Sequence, residues 1–309
     1  MRIILVAVVT LSFSVAASQS LAEEGSSLDV TFSQLSGSTD YQIGGLVQLA
    51  NGASGYVHFP LSKLDFPSEM SVLGIGLNIR HARNLITARI SSSTDASPTT
   101  MRDYDWGVPD VNPFTTPSTL DIYSESESDG EMQMLELRYA GISQPKYSDF
   151  TRYIGVGLLI QKFHFDVHDG LQEYPSMGFP ADPLPGDILI YDVDMYIPYG
   201  FVRIEREARD SGWSWYAELA ASAWATVEDQ DQHLLRGKVN QGNYDGTAII
   251  YDLGVTYQGS SKFMVTLSYR QTNIDTEGEQ VSSLDGIYNH TIYAENHSEH
   301  SLYSLSLNL

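Results

Sequence analysis

Two polar stretches carry residue types that could do chemistry. Residues 103–106 read DYDW, and residues 228–233 read EDQDQH. Asp103 and Asp105 stand two apart, as do Asp231 and His233, and Asp229 lies two before Asp231. A carboxylate beside an imidazole fixes its tautomer and stabilises its cation, so the imidazole can take a proton from water. Two neighbouring carboxyls cannot both ionise freely. One tends to keep a proton and can then hydrogen-bond a carbonyl or a developing oxyanion. Water held between the two pairs could attack a peptide carbonyl with no covalent intermediate. On spacing alone, ordinary loop acids on an acidic chain explain the same pattern.

The elements around them read as strands. KFMVTLSYRQ places Phe263, Val265, Leu267 and Tyr269 on one face, and AIIYDLGVTY does the same with Ile249, Tyr251, Leu253, Val255 and Tyr257. WSWYAELAAS and the final SLYSLSLNL alternate likewise. Period two over such lengths means strands with one apolar and one polar face. A soluble sandwich buries the apolar face, whereas a membrane barrel turns it to lipid and fills its lumen with polar groups. Three features favour the barrel. The 19 Tyr often sit on apolar faces or at strand ends, as an interfacial girdle requires. The polar faces carry Asp252, Glu218 and Arg270, which suit a wet lumen. Short turns at 81–84, 143–146, 207–212 and 258–261 alternate with longer polar stretches, including SESESDGE and the Pro/Gly-rich segment 170–187.

The expected fold is therefore all-β: a ten-stranded antiparallel transmembrane β-barrel of the outer membrane, extending beyond the bilayer on the extracellular side. The strands are placed at 29–42, 69–80, 85–98, 121–141, 150–168, 188–206, 212–230, 245–257, 262–275 and 298–309. SESESDGE is taken as an extended part of the fourth strand or its loop. DYDW follows the third strand and EDQDQH ends the seventh, and both strands run outward. The two pairs thus belong to one extracellular mouth, where residues two apart share a face.

The remaining composition bounds partners and location. Residues 1–22 read as a secretory signal peptide: Arg2, an apolar run from Ile3 to Ala17, then Ser20 and Ala22 before a cleavage point. Residues 23–309 form a single barrel domain. The absence of Cys rules out a thiolate metal site or a cysteine nucleophile. A net charge of −22 argues against nucleic acid, which needs Lys and Arg, and favours cationic partners. DYDWGVPDVN lacks the Gly and later Glu of a calcium loop, so no metal is expected there. His297 and His300 could form a metal clip, although exposed histidines are the commoner case. Asn289 and Asn296 head glycosylation sequons, which carry little weight for the outer-membrane barrel expected here.

Asp103-Tyr-Asp105-Trp106 together with Asp229-x-Asp231-x-His233, followed by Gly237-Lys238, resembles the two active-site segments of the omptins, ten-stranded outer-membrane aspartyl proteases of Gram-negative bacteria. DVTFSQLSGSTD (29–40), YDVDMYIPYGFVRIE (191–205) and Asn112-Pro113 are similar in the same order. The resemblance implies an outer-membrane endopeptidase with an extracellular site, acting as a monomer on exposed peptide or protein substrates near basic residues. Asp231 and His233 would activate water, opposed by Asp103 and Asp105. Asp229 would be one of two acids in the pocket before the cut. The other falls at Tyr41, with Asp40 on the opposite face, which either weakens the implied preference for Arg or Lys or shifts it toward aromatic or uncharged side chains. No cofactor is implied beyond lipopolysaccharide as an activator. The strand-five positions that would meet lipid are Ile160, Lys162 and His164, and a basic position on strand six is Asp194. Leu309 departs from the usual aromatic terminus. The alternatives are a non-catalytic barrel of the same fold, serving as an adhesin or surface-binding protein, and a small porin or transporter.

Overall fold

The computed structural model describes residues 25–95, 98–107, 120–143, 150–206, 212–260 and 263–308. The expected signal peptide, Asn112-Pro113 and Leu309 lie outside the described residues. Eleven strands follow in order: β1 (Gly25–Leu49), β2 (Ser54–His81), β3 (Asn84–Ser93), β4 (Thr99–Trp106), β5 (Leu120–Ser143), β6 (Phe150–Tyr174), β7 (Phe179–Arg206), β8 (Trp213–His233), β9 (Lys238–Ser260), β10 (Phe263–Leu284) and β11 (Ile287–Asn308). Apart from β3 and β4, sequence neighbours pair antiparallel, and β1 pairs with both β2 and β11, so the sheet closes on itself. Both β3 and β4 lie between β2 and β5. They are two halves of one stave, interrupted where the Asp95 carboxylate accepts a 3.0 Å bond from the Ser71 amide. The barrel has the ten staves expected from the alternation, in the expected order.

The staves are longer than the alternation shows. Segments expected as loops are the outer halves of strands, and several connections at that end are also tight, as from His233 to Lys238 and from Leu284 to Ile287. The reason is physical. Near the other end one face meets lipid, so apolar and polar residues alternate strongly. Farther out both faces are polar and the period fades. SESESDGE belongs to β5, with Ser124, Ser126, Ser128 and Gly130 inward and its acids outward or at the surface.

An exposed apolar belt surrounds one end. Ile154 and Val156, Val202 and Ile204, Leu253 and Val255, and Leu267 and Leu305 all point outward, with Trp213, Tyr257 and Tyr303 among the aromatics. Within this belt the lumen is polar and ion-paired. Arg270 meets Glu136 at 3.1 Å and Asp252 at 3.0 Å, Arg138 meets Glu218 at 2.5 Å, and Arg89 meets Asp29 at 3.2 Å. Tyr199 donates to Glu136 at 2.6 Å and Tyr216 to Asp252 at 2.8 Å. Above the belt the lumen turns aromatic. Phe66 stacks on Tyr191 at 4.3 Å, and Phe66 and Phe165 lie 5.2 Å apart. Gly130 makes room for this layer, since a Cβ there would come within 2.6 Å of the Met70 methyl and 3.2 Å of Phe165.

Candidate active site

The two polar stretches sit at the outer end of their staves and face one lumen. On β8 a register shift between Ser222 and Ala225 changes which positions point inward. After it, Val227, Asp229 and Asp231 are buried on the lumenal side. On β4, Met101, Asp103 and Asp105 share the inner face, with Asp103 opposite Leu64 on β2 and Ser124 on β5. The end of β4 is held by His58, whose Nδ1 lies 2.9 Å from Pro60 O and whose Nε2 lies 3.1 Å from Trp106 O. Gly107 follows with φ +68°, a backbone conformation that favours glycine.

Asp231 is fully buried, and one of its oxygens carries all its bonds. His233 Nε2 lies 2.9 Å from Asp231 Oδ2, and Asn240 Nδ2 donates to the same atom at 3.1 Å. Tyr41 Oη donates to it as well, in a short contact that crosses the lumen from β1. Oδ1 is buried with no partner. Burial alone would raise this carboxyl. The His233 charge, with the bonds from His233, Tyr41 and Asn240, outweighs burial and holds Asp231 below its ordinary value.

The opposing acid behaves in the opposite sense. Burial, then the charge of Asp105, pushes the Asp103 carboxyl well above its ordinary value, against the pull of Arg236 and Lys238. The charge of Asp231 adds to the push, which places the two acid pairs in one electrostatic neighbourhood. Asp103 Oδ1 is also buried and unpartnered. The mouth thus sets two acids apart in proton affinity: Asp231, bonded to an imidazole, is held low, and Asp103, with an unspent oxygen, is held high. Lys238, within range of Asp231, Asp105 and Asp103, has its ammonium pulled below its ordinary value by burial.

Asp229 lies below this pair rather than open at the mouth. It accepts Tyr191 Oη at 3.0 Å, Tyr244 Oη at 3.1 and 3.2 Å, and the Gly242 amide at 2.9 Å. Burial pushes its carboxyl up to about 7, with the nearby Asp231 charge adding to the shift and the two tyrosine bonds opposing it. Gly242 permits the packing, because a Cβ there would stand 2.0 Å from Tyr244 Oη and 2.4 Å from Asp229 Oδ1. Tyr41 faces inward, as expected, and Asp40 faces out to meet Lys63 at 3.2 Å. At 1 % exposure Tyr41 is packed beneath Asp231.

A scan of the chain against protein-family models finds no match, and a search of curated proteins finds none. Solved structures do match. The outer-membrane protease OmpT from Escherichia coli superposes with a TM-score of 0.71 at 14 % identity, covering 93 % of this chain and 99 % of that one. The outer membrane protein OprG from Pseudomonas aeruginosa gives a TM-score of 0.33 at 12 % identity, covering 91 % of this chain and 95 % of that one. The fold is that of an outer-membrane β-barrel.

Other residues read from the sequence are placed by this fold. Lys162 and His164 lie on the outer surface just above the apolar belt, and each is engaged by an acid. Lys162 bonds Asp194, while His164 Nδ1 lies 2.6 Å from Asp192 and Nε2 lies 3.4 Å from Asp166. The bond from Asp192 raises the His164 imidazole to about 9, against the effect of burial. His297 and His300 do not form a clip, because three residues apart on a strand means opposite faces. His297 points outward to Asp275 at 2.6 Å, and His300 points inward and stacks on Phe163 at 4.7 Å. Tyr191, Tyr244 and Asn240 are site residues that the sequence reading missed. The signal for them is register. Tyr191 and Asn240 are the direct cross-strand partners of Asp231.

Proposed function

We propose that this chain is an omptin-like outer-membrane endopeptidase of a Gram-negative bacterium, hydrolysing peptide bonds at its outward-facing mouth. The observation that carries the reading is the pair of buried, unpartnered carboxylate oxygens, Asp231 Oδ1 and Asp103 Oδ1, on opposite walls of one mouth. An unmet buried acceptor costs about 1–3 kcal/mol, and of the unmet buried atoms among the described residues these two are the carboxylate oxygens, which a group bound at the mouth could complete. The outer-membrane barrel fold and the resemblance of the two active-site segments support the same reading.

The chemistry follows from the opposite protonation of the two acids. With His233 Nε2 turned to Asp231, Nδ1 is the nitrogen left to meet water. A water molecule attacks the peptide carbonyl carbon and gives its proton to His233 Nδ1. Ionised Asp231 stabilises the imidazolium. The carbonyl oxygen becomes an oxyanion and takes a hydrogen bond from the neutral Asp103 carboxyl. As the C–N bond breaks, the imidazolium returns the proton to the leaving amine. Asp105 raises the proton affinity of Asp103, and so keeps that donor in place.

A second reading has its own observation. Asp231 Oδ2 already carries three bonds and the residue is wholly buried, which suits a non-catalytic barrel acting as an adhesin or binding surface. Refolded barrel is incubated with a mixed peptide library, with and without lipopolysaccharide. Cleavage by wild type and none by Asp231→Asn upholds the endopeptidase. The same absence of cleavage in both leaves the binding barrel.

A further inference from the structure

Three consecutive hairpins at the outer rim, β1–β2, β10–β11 and β8–β9, depart from the polar wall below them. Hydrogen bonds tie their tips together. The Ala50 amide donates to Asn289 O at 3.0 Å, the Asp285 amide to Gly237 O at 3.0 Å, and Tyr288 Oη to Gln48 O at 3.1 Å. Large apolar side chains stand exposed on all three: Leu46 and Tyr56 on the first, Leu284 and Ile287 on the second, Leu234 and Leu235 on the third. Ile287 is 73 % exposed and Leu235 56 %. A single exposed apolar residue is ordinary, but a series across tied neighbours marks a surface that meets something. The barrel's own bilayer is out of reach. Leu46 stands 14 residues along β1 from Phe32, the cross-strand partner of Leu305 in the belt. That is roughly 45 Å of strand.

The charge of this arc also runs against that of the chain. Residues 46–57 hold no Asp, Glu, Lys or Arg, residues 281–293 hold Asp285 only, and residues 233–239 hold Arg236 and Lys238. The neighbouring β6–β7 hairpin holds four acids over residues 169–187 and no Lys or Arg. Lys63, Arg102 and Lys162 on the outer wall are each paired with an acid. Among the described residues Arg236 and Lys238 form no ion pair, and Arg236 is exposed. Lys238 is the cross-strand partner of His233, which joins the arc to the mouth.

We infer that this arc is a docking surface for an extended polypeptide segment that is both apolar and acidic. Its apolar side chains lie on the hairpin tips and its carboxylates meet Arg236 and Lys238. The apolar tips supply contact area, and the two unspent cations set the sign of the partner. A basic segment is drawn toward the protein by the overall charge of −22, but meets like charge at this arc. The inference goes beyond the endopeptidase reading and does not rest on it, because binding at the rim is separate from cleavage at the acids.

The test uses the Asp231→Asn barrel in phosphatidylcholine vesicles, so that binding is read without cleavage. Fluorescent peptides of equal length are compared by anisotropy: apolar or polar residues interspersed with Glu, and the same two with Lys. The apolar Glu peptide is expected to bind at least about tenfold more tightly than each of the others. Leu235→Asp with Ile287→Asp should weaken that binding by about tenfold or more, and Arg236→Glu with Lys238→Glu should turn the preference to the apolar Lys peptide. Equal binding of the two apolar peptides overturns the inference, as does binding left unchanged by the Leu235 and Ile287 substitutions. Clustering of vesicles that these substitutions abolish assigns the arc to lipid or to a second copy of the chain, and also overturns it. The ranking of the peptides by the unaltered rim decides the question if a rim variant does not refold. The expected ranking with no cleavage by wild type leaves the inference standing and removes the endopeptidase alone.

Discussion

The lumen holds two sets of buried acids, and they are treated differently. In the belt, Glu136, Asp252, Glu218 and Asp29 each have a guanidinium within 3.2 Å. At the mouth, Asp103 and Asp231 each keep a buried oxygen with no partner. The belt's unmet buried atoms among the described residues include Arg89 Nε and Arg203 Nε but none of these four acids. The residue types are alike, and Asp231 is as buried as the belt acids, while Asp103 is half-buried. The difference lies in the acids: each belt carboxylate is met by a cation and locks staves together, whereas each mouth carboxyl keeps an oxygen free for something that arrives later.

Breaking the mouth is expected to have the largest effect on rate. Asp231→Asn should lower cleavage by about 10²–10⁴-fold, measured as initial rates, with an unchanged yield of refolded barrel. Breaking the belt should do the reverse. Arg270→Met leaves Glu136 and Asp252 buried without their cation, and should destabilise by about 3–5 kcal/mol in urea unfolding, while the folded fraction cuts at the wild-type rate. A faster or slower folded fraction would show the two regions to be one coupled unit.

Asp229 sharpens the contrast from below the mouth. Because its carboxyl is raised to about 7, the folded state holds that proton more tightly than the unfolded chain. Its contribution to stability is fully present below the ordinary carboxyl range and is lost as pH rises through about 7. Asp229→Asn should remove that slope, a change on the order of a few kcal/mol between pH 4 and 8, seen as a flatter unfolding midpoint. Tyr41→Phe removes one donor to an ionised carboxylate, and a rate loss of about tenfold is expected. Its acid limb should also move upward in pH, since that bond helps to hold Asp231 low. The smallest change is at Asp103. Its neutral form is lost as pH rises through its raised value, giving an alkaline limb. Asp103→Asn keeps a donor, so the rate at neutral pH should change little while that limb disappears.

Much of this contrast was legible in the sequence. Alternation marked ten staves because a lipid-facing side must be apolar, and Asp229, Asp231 and His233 fell on one face by period two alone. The outer halves of β9, β10 and β11 were not legible, since both their faces are polar. The β8 register shift at Ser222 to Ala225 changes the inward phase, and nothing in the local pattern announces it. Tyr41 was read as a pocket wall. Its contact with a residue 190 positions later needs closure and register together, which alternation does not supply.

The length of the staves has one more consequence. β6 has 25 residues, which at about 3.3 Å each is roughly 80 Å of strand, or roughly 60 Å of height at the usual barrel tilt. A bilayer core is about 30 Å thick, so roughly half of the stave stands clear of it. Short hairpins rather than pliant loops join several staves at that end, as at His233 to Lys238. The mouth is therefore a fixed spar, and its height above the lipid works as a ruler. On the endopeptidase reading, polypeptides arriving from the medium would reach it freely, while chains lying flat on the same membrane, or tethered to it by short stalks, would pass beneath.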